Sequence, residues 1–321
     1  MSKVNKKILG NVLTVIILAL FAWYFTQNIQ DFKILLDINI LHVILLFVIG
    51  LLMIVANSVF MKVCLSLFGR KIDIHESIRV TLISTAGNFF APAGSGLGFR
   101  AVYLKKRHKL PYSDYISITL CNYVIVFMIS AMLGLVGLWA AQGGVPTSSA
   151  YPLYVFFAGL LTISTVLLFV RFRERETVDT EGGAIARVKQ VLVRMSKGWT
   201  VVLSNKKVLV GLIGIVVANA VLSVVQAYIV LESVGITISF GGLILYGILG
   251  ALSLFINITP GNLGVKESVY VVFSGVIGLS TAQILSAAVV ERVVTFVMIA
   301  ALWLRYGNVF KKQQVREVTG S

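Results

Sequence analysis

Long apolar runs separated by short basic segments constrain this chain more than any other feature of its sequence. A membrane-spanning helix needs about 20 mostly apolar residues. Six uninterrupted runs meet that requirement, at 8–26, 40–61, 114–141, 152–170, 208–231 and 280–306. The chain is 58% hydrophobic and 13% charged, whereas soluble domains average about 45–50% and about 25%. The sequence therefore predicts an all-α polytopic membrane protein whose 321 residues form a single transmembrane domain.

The lysines and arginines predict how the helices are oriented, because these residues accumulate in cytoplasmic loops. Of the 28 in the chain, 25 lie in the segments 1–7, 62–80, 100–109, 171–207 and 305–316. Both termini are therefore expected to be cytoplasmic, and topology rather than a nucleic-acid partner explains most of the net charge of +15. Within the fourth segment, apolar residues recur at helical spacing over 184–204 and include Trp199 and Val202. This pattern predicts a basic helix lying on the inner leaflet.

Two further apolar stretches, 77–99 and 240–279, are interrupted by glycine and proline. The first lies between two basic segments, and the second lies between an outward loop and the final span. Both are predicted to be broken hairpins, the inner hairpin entering from the cytoplasmic face and the outer hairpin from the opposite face. The two halves, about 8–141 and 152–306, then form an inverted repeat, an arrangement typical of transporters. Pairs of short complete spans are the alternative.

The tips of the two hairpins share a pattern that favours anion binding. Each has an asparagine, a proline, a Leu-Gly pair and then a basic residue, which is Arg100 or Lys266. Proline ends the incoming half-helix and glycine lets the backbone turn, so the outgoing half-helix begins at membrane depth with unpaired amide hydrogens. Such an end beside a cation suits a phosphate headgroup. Hinge kinks with snorkelling cations are the alternative. The predicted substrate-binding residues at the tips are Asn88, Pro92, Arg100, Asn257, Pro260, Gly261, Gly264, Lys266 and Glu267.

Glu291 and Arg292 in the last span complete this predicted set. A charge at the bilayer centre costs roughly 2.5–3.5 kcal/mol on insertion scales, so charges retained there indicate a functional site. If the outer hairpin packs on the last span, Lys266 reaches Glu291 and Glu267 reaches Arg292. A buried ion-pair clasp that binds no ligand is the structural alternative.

With these motifs, the chain resembles the flippase-type transmembrane domain of lysylphosphatidylglycerol synthases over about residues 10–306. The resemblance rests on PAGSGLGFRAVYLK at 92–105, on TPGNLGVKE at 259–267 and on Glu291-Arg292. It implies a bacterial or archaeal inner-membrane protein that moves a lipid between leaflets, with Arg100, Lys266 and Glu267 at the important positions. Only a short basic tail follows Tyr306 in this sequence, so synthesis of a lysyl lipid is not expected.

Two functions are therefore weighed. The first is a lipid flippase or translocation facilitator for an anionic phospholipid or a lipid-linked sugar. The alternative is a non-transporting partner that presents a lipid-linked substrate to a glycosyltransferase. An enzyme is not expected, because the sequence shows no paired carboxylates for acid–base chemistry and no Ser-His-Asp set. No cofactor is expected, and the three histidines lack metal-ligand spacing.

Overall fold

The computed structural model of the protein describes residues 38–90, 95–141, 147–169, 198–253, 255 and 259–319. For residues 147–149, 260 and 303–319 it describes the backbone alone. The predicted first span at 8–26, Pro92, Asn257 and residues 171–197 of the basic segment lie outside the described residues.

The described part of the chain is helical throughout its regular elements. Its helices are α1 Ile40–Leu67, α2 Ile74–Phe90, α3 Ser95–His108, α4 Tyr112–Ala140, α5 Thr147–Phe169, α6 Lys206–Ser233, α7 Phe240–Ser253, α8 Val265–Val272, α9 Ser274–Ile277 and α10 Thr281–Thr319. A single 3-10 turn, Pro260–Asn262, lies between α7 and α8.

Five of these helices, α1, α4, α5, α6 and α10, are long and apolar enough to cross a membrane. They coincide with five of the six predicted spans, and the prediction of a polytopic α-helical membrane protein is confirmed. Asparagine side chains define the first turns of two of them. Asn39 accepts a hydrogen bond from the Leu41 amide at 2.9 Å, and Asn205 accepts one from the Val208 amide at 3.1 Å. These bonds satisfy backbone donors that have no partner within the helix.

The two interrupted stretches each form a pair of short antiparallel helices. In the inner hairpin, α2 packs against α3, with Ser84 opposite Arg100 and Glu76 opposite Tyr103. In the outer hairpin, α7 packs against α8, and the rings of Tyr246 and Tyr270 stack 4.1 Å apart. The broken-helix layout is therefore the predicted one, whereas the inverted repeat and the side from which each hairpin enters the membrane stay predictions.

The cytoplasmic base predicted for the inner hairpin is held by a small polar cluster. The Glu76 carboxylate accepts a hydrogen bond from the Tyr103 hydroxyl at 2.6 Å and lies 3.0 Å from Nε2 of His108. Burial and, after it, the hydrogen bond to Glu76 raise the pKa of Tyr103. Because these contacts join the start of α2 to the end of α3, they fix the open end of the hairpin.

The end of the basic segment is held against protein rather than lipid. Trp199 and Val202, in the described helical stretch 198–204, are buried in a core that includes Cys64 of α1 and Ile118 of α4. Gly198 lies close enough to α4 that a Cβ there would be 2.6 Å from the Ser117 hydroxyl. The interfacial helix over 184–204 stays a prediction, and at its described end Trp199 and Val202 cover a protein surface.

Candidate functional site

The tips of the two hairpins meet inside the helix bundle. The carbonyl oxygen of Phe89, near the end of α2, lies so close to Gly261 that a Cβ there would be 3.2 Å from it. Beside this contact, the Phe90 ring packs edge-on against Phe296 of α10, with centroids 6.2 Å apart. The described part of the outer hairpin's turn therefore packs against the inner hairpin at Gly261, while Leu263 stays 44% exposed.

Four charged side chains connect the outer hairpin to the last span, and we call them the charge clasp: Lys266, Glu267, Glu291 and Arg292. The Lys266 ammonium forms an ion pair with the Glu291 carboxylate, and the Arg292 guanidinium forms one with Glu267. Arg292 Nε donates to Glu267 at 3.1 Å, and its Nη1 donates to the Gly261 carbonyl at 3.3 Å. This is the pairing that the sequence predicts, and its net charge is zero.

The charge clasp is largely shielded from solvent, but Lys266 remains partly exposed. The side chains of Glu267 and Glu291 are each 12% exposed, whereas Lys266 is 23% exposed. Weak screening at such positions strengthens each ion pair. The partial exposure of Lys266 leaves room for another oxyanion to approach it.

Two tyrosines that the sequence analysis did not assign to the site support Lys266. Its Nζ lies 5.6 Å from the centroid of the Tyr270 ring, within the range of a cation–π contact. Tyr270 and its stacking partner Tyr246 are both almost fully buried. Gly250 makes room for this arrangement, because a Cβ there would overlap the Tyr270 hydroxyl. Tyr246 lies in an otherwise apolar helix, whereas Tyr270 follows Lys266 by one turn of α8.

The turn of the outer hairpin depends on residues with positive φ. Gly261 has φ of 58° and Gly264 has φ of 80°, conformations that glycine adopts without strain. Glu267 accepts a hydrogen bond from the Gly264 amide at 2.8 Å and so caps α8 while it pairs with Arg292. Five predicted residues therefore lie together in the structure. The turn contains Gly261 and Gly264 and begins with the backbone of Pro260, and the first turn of α8 contains Lys266 and Glu267.

Asn262 is also part of this turn, with φ of 57°. Its Nδ2 donates to the Ser253 carbonyl at 3.0 Å, tying the turn to the end of α7. Its Oδ1 is buried and accepts no hydrogen bond within the described part of the chain. The asparagine therefore fastens the turn to the end of α7.

In the inner hairpin, Asn88 and Arg100 contact different parts of the two helices. Asn88 Oδ1 accepts a hydrogen bond from the Gly96 amide at 2.8 Å and caps the start of α3, so its predicted contact with a substrate stays a prediction. Arg100 points toward α2, where its Nε donates to the Ser84 hydroxyl at 3.2 Å. Among the described residues it has no ion pair with the charge clasp or with any other acid. The structure thus separates the predicted site into two regions.

This architecture defines a class of protein: a multi-pass α-helical membrane protein with paired, partly buried charges where a broken hairpin packs on the last span. Comparison with known families agrees with that class. The family described as the lysylphosphatidylglycerol synthase TM region matches residues 9–302. The chain belongs to this family, which makes it a membrane protein linked to lipid handling.

A curated relative has a similar but partial match. The UPF0104 membrane protein of Methanothermobacter thermautotrophicus strain Delta H is 31% identical over 116 residues, which are 36% of this chain. The match spans 34% of that relative's own length. No solved structure matches the chain.

Proposed function

We propose that this protein facilitates the movement of a lipid between the leaflets of a bacterial or archaeal inner membrane, without changing the lipid covalently. The proposed substrate is an anionic phospholipid or a lipid-linked sugar. Both termini are then cytoplasmic. The observation that carries the proposal is the charge clasp at the contact between the two hairpin tips. Family membership supports it, because the family is linked to membrane lipids.

The chemistry of the clasp suits a polar headgroup that must cross the apolar interior. A charged group that enters hydrocarbon without a partner is strongly disfavoured. A headgroup phosphate can approach partly exposed Lys266 and take the place of Glu291. Glu291 then needs a donor in exchange, which a headgroup hydroxyl or ammonium supplies. Because charges are exchanged between pairs rather than left unpaired, the headgroup is moved with little electrostatic cost.

Leaflet exchange in vesicles tests this function directly. Purified protein is reconstituted with tail-labelled phosphatidylglycerol, and in parallel with a labelled polyprenyl-phosphate-linked sugar. We expect exchange of at least one of them to be faster than in protein-free vesicles by more than tenfold, a change in barrier of about 1.4 kcal/mol. Vesicles that contain an unrelated polytopic protein serve as the control. Equal rates with and without the protein for both lipids would refute the proposal.

A second candidate function is presentation of a lipid-linked substrate to a cytoplasmic glycosyltransferase. It is favoured by the end of the basic segment, where Trp199 and Val202 anchor the chain and leave Lys206 and Lys207 exposed. An open groove beside them is lined by Thr200, Val201, Ser204, Asn205, Lys206 and Lys207. Such a surface, predicted to face the cytoplasm, suits an acidic partner or anionic lipid.

Affinity purification separates the two candidates. If the chain acts as a transporter, Lys206→Glu combined with Lys207→Glu should leave leaflet exchange in vesicles unchanged, because these residues lie outside the charge clasp. If the chain presents a substrate, the same double variant should lose a co-purifying glycosyltransferase that the wild type retains. Lys105→Glu with Lys106→Glu is the matched control on a different basic surface. Loss of the enzyme from the first double variant alone would favour the second function.

A further inference from the structure

Arg100 is a buried cation whose hydrogen-bonding capacity is mostly unused. The residue is 8% exposed, and within the described part of the chain its guanidinium makes one hydrogen bond, to the Ser84 hydroxyl. That hydroxyl itself donates to the Val80 carbonyl at 2.7 Å. A guanidinium has five N–H donors and stays charged at any physiological pH. Because an uncompensated buried charge is costly, its retention here needs a partner that the described chain does not supply.

The surroundings of Arg100 offer further donors rather than an acid. Tyr115 of α4 is 4% exposed, packs in one buried cluster with Val80 and Leu104 of the inner hairpin, and has a hydroxyl without a hydrogen-bond partner among the described residues. Thr81 lies one turn before Ser84 on α2, is fully buried, and has an equally unpartnered hydroxyl. Glu76 on the same helix is occupied by Tyr103 and His108. Within the described part of the chain, α2 and α4 therefore bring two unpartnered hydroxyls to the hairpin that holds the unpaired Arg100 guanidinium, an arrangement suited to an anion.

The charge of this region determines what kind of anion it takes. In the charge clasp each cation already has an acid, so its net charge is zero. Arg100 is therefore the one unmatched cation among the membrane-depth charges of the described residues. A single positive charge is balanced by a single negative one, which a phosphodiester carries at neutral pH. A diphosphate carries at least two negative charges, of which Arg100 balances one, so a negative charge would be left buried without a counter-charge.

We propose that the inner hairpin binds a lipid headgroup through one singly charged phosphodiester. The Arg100 guanidinium holds the two non-bridging oxygens, and the hydroxyls of Tyr115 and Thr81 donate to the same oxygens. This inference rests on the proposed function and names the substrate class at one end of the pathway. It selects lipids joined by a single phosphodiester over diphosphate-linked carriers, and it assigns a role to two residues that no sequence motif marks.

A binding experiment in uncharged detergent tests the assignment. The full chain is titrated with dihexanoylphosphatidylglycerol, farnesyl diphosphate or glycerophosphoglycerol, the same phosphodiester without acyl chains, and stabilisation against heat is measured. We expect phosphatidylglycerol to bind at least tenfold more tightly than the other two. Tyr115→Phe and Thr81→Val should each weaken its binding about tenfold, the effect of losing a hydrogen bond to a charged group. Tyr112→Phe, at an exposed tyrosine of the same helix, should leave binding unchanged.

Arg100→Gln distinguishes a ligand site from a structural arginine. Without lipid, this variant should melt at the same temperature as the wild type or higher, because it removes an unpaired buried charge. With phosphatidylglycerol, its stabilisation should be lost. A lower melting temperature without lipid would overturn the proposal, as would tighter binding of farnesyl diphosphate or equal binding of glycerophosphoglycerol.

The same variants separate this inference from the proposed function. Lipid binding that depends on Arg100, without leaflet exchange by the wild type in vesicles, would uphold the site and refute translocation. Leaflet exchange that is unchanged in both Arg100→Gln and Tyr115→Phe would uphold translocation and refute the site.

Discussion

Glu291→Gln is expected to abolish leaflet exchange and to lower the free energy of unfolding by about 3 kcal/mol. The substitution keeps the shape of the side chain but leaves Lys266 without its counter-charge. The 23% exposure of Lys266 places the loss at the lower end of the range for a broken buried pair. Unfolding in detergent measures the stability, and the vesicle assay measures the exchange.

The double variant Lys266→Met with Glu291→Gln shows whether the clasp does more than hold helices together. Replacing both members of a buried pair by neutral residues is often tolerated, so stability should recover to within about 1 kcal/mol of the wild type. Exchange should not recover, because no cation is left to receive the headgroup. Wild-type exchange in this double variant would show that the Lys266–Glu291 pair is structural alone.

Gly96→Ala is expected to disrupt the inner hairpin, with a loss of at least about 3 kcal/mol in stability and of all leaflet exchange. A Cβ at position 96 would overlap the Ser84 carbonyl oxygen and lie 2.7 Å from Oδ1 of Asn88. The obstacle is backbone, which cannot rotate away, so α2 and α3 must separate. That separation would break the Asn88 cap and move Arg100 away from Ser84.

Gly98→Ala is the matched control, two residues further along the same helix. A Cβ at position 98 has no heavy atom within 4 Å, so the substitution adds no contact. Alanine is favoured over glycine in a helix by about 1 kcal/mol, and the melting temperature should stay the same or rise slightly. If both alanine variants behaved alike, the close packing of α2 on α3 would not be essential.

The spans could be predicted from the sequence because a bilayer demands a length and an apolarity that each segment meets by itself. The prediction of 40–61 corresponds to α1, Ile40–Leu67, and the other described spans agree similarly. The helix continues past the predicted end because its last turn is buried by neighbouring helices, as Cys64 and Leu65 show. The composition of the segment itself does not predict that contact with neighbouring helices.

The charge clasp could be predicted from the sequence for a related reason. Four charges in an otherwise apolar region must find partners, and few combinations exist. The predicted pairs, Lys266 with Glu291 and Glu267 with Arg292, are those in the structure. By contrast, Tyr246 and Tyr270 give no such signal, because a tyrosine in a membrane helix is ordinary until another chain segment stacks against it.

The sequence by itself determined the class of the protein, its spans, its two interrupted segments and the charges that pair within the membrane, because each follows from the bilayer as a solvent. Only the tertiary structure decided where the two hairpins meet, that Asn88 caps α3, that Trp199 is covered by protein, and that Tyr115 packs against the inner hairpin. Those features join residues far apart in the chain. They depend on packing between helices, which has no period or motif within a single segment.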